Sequence, residues 1–200
     1  EALRPHGWAG SHWSPAIGAE HMATRNAAGL FDESSFAKLE VTGPGAAALL
    51  ARLCDAEVTR DIGAITYTQM LNERGGIECD FTVTRLDSDV FQIVTGTALG
   101  SRDAGWIGRH LPDDGSVRLR DVTSQWACFA LWGPKAARVL SPLTSDCLDF
   151  PYMTMREIVV GAVPVRALRV TFVGEGGWEL YCPTEYGATL WETLWEAGKP

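Results

Sequence analysis

An internal repeat constrains this chain more than any other feature. Leu39-Glu40-Val41-Thr42-Gly43-Pro44-Gly45-Ala46-Ala47-Ala48-Leu49-Leu50 is echoed 90 positions later by Phe129-Ala130-Leu131-Trp132-Gly133-Pro134-Lys135-Ala136-Ala137-Arg138-Val139-Leu140. Each copy reads as an alternating apolar strand, a Gly-Pro turn and an Ala/Leu helix. Proline suits the head of a helix because its missing N–H has no partner there in any case. Self-similarity at a fixed spacing means that one supersecondary unit is used twice. Further along, Phe91 to Thr95 reads as a strand leading to a helix that reaches Ile107. Trp178 to Cys182 reads as a strand leading to a helix from Thr184 to Ala197. Each half is thus strand, helix, further strands, helix. That is an α+β fold of two related ferredoxin-like βαβ-type halves. The expected boundaries are 1–36 for an N-terminal extension with one helix (roughly Ile17 to Ala28), 37–125 for the first half and 126–200 for the second.

Composition narrows the function classes. A 200-residue chain that is 46% hydrophobic and 21% charged buries a real core and is not disordered. No run of eighteen apolar residues is present, so no membrane-spanning helix is expected. A net charge of −8 with pI near 5.0 shows no basic patch for nucleic acid. Five cysteines at irregular spacings, without a C-x-x-C pair, read as reduced thiols in a cytoplasmic setting. The four histidines, His6, His12, His21 and His110, lack metal-site spacing, so no metal is expected. The start, Glu1-Ala2-Leu3-Arg4-Pro5, carries neither an initiator Met nor a signal sequence, and reads as a processed chain or a piece of a longer one.

Two stretches carry candidate chemistry. Ile65 to Leu71 and Ile77 to Leu86 read as a hairpin around Asn72-Glu73-Arg74-Gly75-Gly76. Simple alternation puts Ile77, Cys79, Phe81 and Val83 on one face, and Glu78, Asp80, Thr82 and Thr84 on the other. Glu78 and Asp80 would then stand roughly 7 Å apart, and paired carboxylates raise at least one pKa, one route to a general base. The plainer alternative is two acids facing water. The second stretch, Val173-Gly174-Glu175-Gly176-Gly177-Trp178-Glu179-Leu180, is a glycine turn before a strand. It lacks the Lys-Ser/Thr and the following helix of a phosphate loop, so its plainer reading is a hairpin turn with Glu175 in solvent.

Three segments together resemble the aminomethyltransferase family, that of the glycine-cleavage T-protein. They are Arg25 with Gly29-Leu30-Phe31-Asp32 and Ser34-Ser35-Phe36; Tyr67 with Met70-Leu71-Asn72, Gly75-Gly76 and Asp80; and Arg169 with Thr171-Phe172-Val173-Gly174-Glu175 and Gly177-Trp178-Glu179-Leu180. The T-protein usually has two adjacent aspartates where this chain has Cys79-Asp80. The Ser-Ser-Phe and Phe-Val-Gly-Glu strings look more like the folate-binding domain of sarcosine and dimethylglycine dehydrogenases. The family continues beyond this length into an arginine-containing segment and a C-terminal β domain.

The resemblance implies tetrahydrofolate-dependent one-carbon transfer, either in a stand-alone aminomethyltransferase or in the folate domain of an N-methyl amine dehydrogenase. FAD enters only if the parent has a separate flavin domain, since no dinucleotide fingerprint is present. A small N-methyl amine or aminomethyl donor, and a flavin domain or carrier protein, are the implied partners. Asp80, 13 residues after Tyr67, matches the catalytic acid. It would stabilise a cationic iminium and take the proton that leaves nitrogen as the methylene bridge closes. Glu175 matches the residue that accepts two N–H donors of the pterin edge. Tyr67, Met70, Leu71, Thr82 and Thr84 would line the pocket, and Arg169 would hold the anionic tail. Alternatives within the same fold are a non-catalytic folate-binding or assembly module, whose Lys-Gly-Cys-Tyr signature is not found here, and a methyltransferase acting on a sulfonium or O-methyl substrate.

Overall fold

The computed structural model describes residues 14–199. The opening Glu1 to Pro5, His6 and His12 lie outside them. Helix α1 (Pro15–Asn26) starts where Ser14 accepts a hydrogen bond from the Ala16 amide, with proline in its first turn. Then follow β1 (Gly29–Asp32), β2 (Ala37–Thr42), α2 (Ala46–Leu53), β3 (Ile65–Leu71), β4 (Ile77–Asp87), β5 (Val90–Thr95), α3 (Gly100–Gly108) and β6 (Arg118–Asp121). The second half has β7 (Trp126–Trp132), α4 (Ala136–Leu140), β8 (Met155–Val160), β9 (Val163–Leu168), β10 (Gly177–Pro183) and α5 (Gly187–Gly198).

The repeat is visible in the pairing. One antiparallel sheet has the order β3-β4-β5-β2-β6 and the other β8-β9-β10-β7-β1. Each is a ferredoxin-like order with an additional edge strand. The second sheet takes its last strand from the N-terminal segment. Gly29 to Asp32 pair with Trp132 to Phe129, as β6 pairs with β2 in the first sheet. The segment expected as an extension thus completes the second sheet.

The repeated glycines explain themselves. Gly43 and Gly133 have φ of +115° and +134°, and a Cβ on Gly133 would lie 2.8 Å from the Thr24 carbonyl oxygen. Only glycine tolerates both the conformation and the approach.

Three apolar clusters define four layers. Leu39, Val41, Phe81 and Ile93 pack under Leu49 and Leu50 of α2 and Ile107 of α3. Phe129, Leu131, Trp178 and Leu180 pack under Leu140 of α4 and Leu190 and Leu194 of α5. Between the sheets Ile65 and Val94 meet Cys128, Leu168, Val170 and Tyr181. Burying one such leucine contributes about 2 kcal/mol. Among the described residues no helix is long and apolar enough to cross a membrane.

Candidate functional site

The β3–β4 hairpin presents its polar face to the space between the sheets. Tyr67 is paired with Thr82, and Gln69 with Asp80. Asp80 is exposed, and Gln69 Nε2 donates to its Oδ1 at 3.4 Å. The Tyr67 ring is 56% exposed beside it. A hydrogen bond to the Asp80 carboxylate holds the Tyr67 hydroxyl above its ordinary pKa, with slight desolvation adding to the effect. A carboxyl group, an amide and a phenol therefore share one open patch.

Strict alternation fails at Glu78. Met70 pairs with Cys79 and Leu71 with Ile77, so Glu78 is the additional residue of a β-bulge. Its carboxylate accepts from Asn72 Nδ2 at 2.8 Å and from Arg102 Nη2 of α3 at 3.2 Å. The Asn72 hydrogen bond, then Arg102, holds it below the usual carboxylate range. The expected Glu78–Asp80 pair, in which at least one pKa would be raised, is replaced by a Glu78 committed elsewhere. Ile77, placed by alternation with the core residues, is 62% exposed for the same reason.

The other predicted lining residues divide. Leu71 is exposed at the hairpin mouth, and Thr82 is half-buried on the Asp80 face. Thr84 is buried between Ile65 and Gln92, with no hydrogen-bond partner for its hydroxyl. Met70 differs from the expectation. It is fully buried in the helix-covered core, bridged to Cys54, because its position on β3 points away from Tyr67 and Gln69.

Glu175 lies in the turn before β10, and Arg25 of α1 reaches it. Arg25 Nη1 is 3.2 Å from Glu175 Oε1 and donates to the Val173 carbonyl at 3.1 Å. Arg25 belongs to the first motif and Glu175 to the third, so the fold joins the two. Phe172, two residues ahead of Gly174, is 91% exposed. Arg169 is engaged by the loop before β8: it donates to the Phe150 carbonyl and lies 3.7 Å from the exposed Asp149. Val170, which leads into the Glu175 turn, and Ile65, which begins the strand of Tyr67, belong to the same inter-sheet cluster. Neither Asp80 nor Glu175 belongs to that cluster, and among the described residues no contact joins the two predicted acids.

A buried polar network, which sequence reasoning missed, lies in the same layer. Lys38 is wholly buried, and its Nζ donates to the Ser34 and Phe36 carbonyls at 2.8 and 2.9 Å. Tyr181 donates to Glu179 Oε2 at 2.7 Å. Glu33, Cys128 and Glu179 bring ligand-type atoms within 4.8 Å of one another, and the Lys38 ammonium supplies the positive charge that faces them. Burial pushes Glu33 up to about 7, with the nearby Glu179 charge adding to it. Burial likewise raises Glu179 and lowers Lys38.

The whole described chain, and the motifs that shape this layer, fall within one sequence family: residues 2–200 match the GCVT N-terminal domain model. The chain belongs to the GCVT N-terminal domain family. It is 35% identical to an aminomethyltransferase of Geobacillus thermodenitrificans over 96% of this chain and 53% of that protein. It is 31% identical to the mitochondrial dimethylglycine dehydrogenase of Rattus norvegicus over 94% of this chain and 22% of that protein. The glycine cleavage system aminomethyltransferase T of Bartonella henselae superposes with a TM-score of 0.78 at 28% identity, covering 88% of this chain and 47% of that one. The chain spans about half the length of such aminomethyltransferases.

The repeat within this GCVT N-terminal domain shows that the two halves are not chemically equivalent. The pairing registers make Tyr67, Asp80 and Thr82 of the first sheet equivalent to Glu157, Pro164 and Arg166 of the second. These counterparts, with Trp126 and Pro183, line an open cleft of 400 Å³. Where the first half has Asp80 the second has Pro164, and the carboxylate of the second cleft, Glu157, stands instead at the position of Tyr67.

Proposed function

We propose that this chain is the tetrahydrofolate-binding part of a one-carbon transferase, either a stand-alone aminomethyltransferase or a module of an N-methyl amine dehydrogenase. The observation that carries the reading is the placement of Asp80: an acid of the family motif, exposed on the inter-sheet face with Gln69 and Tyr67 beside it. The bulge at Glu78 leaves Asp80 without a competing carboxylate from its own strand.

In this reading the reduced pterin lies against the face formed by Tyr67, Leu71 and Thr82, with the buried Thr84 and Met70 supporting the strands from within. Glu175 accepts the two N–H donors of the pterin edge through its two oxygens. Folate supplies the nitrogens that take up the carbon. Asp80 offsets the positive charge of the incoming iminium and accepts the proton displaced from nitrogen as the bridge closes. Arg169 holds the anionic tail by exchanging Asp149 for a ligand carboxylate. That exchange costs little, because an exposed ion pair is worth no more than about 1 kcal/mol. The carbon comes from a small N-methyl amine or an aminomethyl carrier, with FAD only on a separate flavin domain. The setting is a reducing, cytoplasm-like compartment, in keeping with five free thiols, four of them buried.

The test is a titration with tetrahydrofolate followed by tryptophan fluorescence, for wild type, Asp80→Asn and Glu175→Gln, together with methylene capture by the full-length parent. Glu175→Gln weakens binding. Asp80→Asn binds but captures no carbon. Unaltered behaviour of both variants would overturn the assignment.

A further inference from the structure

The Glu175 turn is poorly equipped to aim a side chain. Glycines at 174, 176 and 177 surround Glu175. Gly174 has φ +81°, and neither Gly174 nor Gly176 has a neighbouring heavy atom within 4 Å of where a Cβ would sit. Such a backbone is cheap to deform. Accepting two parallel N–H donors, however, requires a carboxylate held to about 0.5 Å and 10–20°.

Arg25 meets that need from outside the turn. A single nitrogen, Nη1, contacts the Val173 carbonyl and Glu175 Oε1, one on each side of Gly174. The guanidinium therefore brackets the most deformable residue. Its own base is rigid. Arg25 lies in the last turn of α1, whose end is fixed by the Ala27 amide on the Ala23 carbonyl and by the Lys135 amide on the Ala27 carbonyl. Thr24 packs against Gly29 and Gly133 alongside it. The contact is not chiefly a stabilising one: the two side chains are 48% and 27% exposed, and such pairs contribute about 0–1 kcal/mol. Its consequence is geometric. Oε1 is tethered, and each carboxylate oxygen has a further lone pair for a ligand donor.

We infer that Arg25 is a positioning residue for folate recognition, acting through Glu175. The inference rests on the proposed role of Glu175 as the pterin acceptor. It also explains the first motif, because Arg25 carries order from α1 to the turn inside the third motif.

The experiment is a double-mutant cycle on the full protein, titrated with tetrahydrofolate by tryptophan fluorescence: Arg25→Gln, Glu175→Gln and the pair, with Arg25→Lys alongside and a thermal melt of each. Arg25→Gln is expected to weaken binding about tenfold, the scale of one lost charge-assisted hydrogen bond. The double variant should bind no worse than Glu175→Gln alone. Arg25→Lys should recover part of the loss, since one ammonium can reach both oxygens. Wild-type affinity in Arg25→Gln, or losses that simply add in the double variant, would overturn the inference while leaving Glu175 as the pterin ligand. Wild-type affinity in Glu175→Gln would instead overturn the reading of Glu175.

Discussion

Tyr181 and Glu179, two residues apart on β10, share a 2.7 Å hydrogen bond inside the layer between the sheets. Tyr181 is fully buried and the Glu179 carboxyl is largely enclosed. Removing the hydroxyl leaves an enclosed carboxyl without its donor, which costs about 1–3 kcal/mol. Tyr181→Phe should therefore lower the unfolding free energy from urea titration by that amount. Tyr186→Phe, at a 40% exposed site, should leave it unchanged. A Tyr181→Phe stability equal to wild type would mean that Glu179 finds another donor.

The same layer makes stability depend on pH. Glu33 is raised from 4.5 to about 7 by burial, with Glu179 and Asp32 adding to the rise and Lys38 opposing it. A carboxyl whose folded pKa lies above its unfolded value binds protons more tightly when folded. Below about pH 4.5 both states are protonated and the group has no effect. Across pH 4.5 to 7 the unfolded chain ionises first, so the group's contribution to stability falls as pH rises. Melting temperatures at pH 5 and pH 8 should show this decline, and Glu33→Gln should flatten it. An unchanged slope in Glu33→Gln would assign the effect to other groups.

Much of the framework was legible because local and global preferences agree. The strand Ile65–Leu71 emerges with the expected bounds, and both Gly-Pro turns start helices at Ala46 and Ala136. The first helix ends at Asn26, not Ala28, because Gly29 to Asp32 are drawn into pairing with β7. That is a contact about a hundred residues away in sequence, with no local sign. The helix expected from Thr184 opens with a 3₁₀ turn over Thr184–Tyr186 before α5. In the site, alternation placed Asp80 and Thr82 on one face but could not see the bulge, which depends on Asn72 and Arg102 drawing Glu78 aside. Lys38 looks like a solvent residue of an ordinary strand. Its burial follows only from the second sheet closing over it.

Gly133, one of the repeated glycines, combines a steric demand with a conformational one, and Gly75 has the conformational one alone. Gly133 approaches the end of α1, where a Cβ would meet Ala27, Ala28 and Thr24 backbone. Gly133→Ala adds this clash to the cost of positive φ and should destabilise by about 3 kcal/mol. Gly75→Ala has a φ of +77° and no neighbour within 4 Å. It should cost only about 1 kcal/mol, from the left-handed conformation alone. Chemical denaturation of the two variants compares them directly, and equal costs would mean that α1 gives way.

The bulge predicts which hairpin acid matters to chemistry. Under plain alternation Glu78 and Asp80 would be near neighbours, and neutralising either would disturb the other. Glu78 is instead held aside by Asn72 and Arg102. Glu78→Gln keeps an acceptor for Asn72 and gives up an ion pair to an Arg102 that is 54% exposed, worth at most about 1 kcal/mol. Methylene capture by the full-length parent should therefore survive in Glu78→Gln with an unchanged pH profile, while Asp80→Asn should lose it by a factor of about 10² or more. A comparable loss in both variants would show the carboxylates acting as a pair, and the separation produced by the bulge would have no bearing on the reaction.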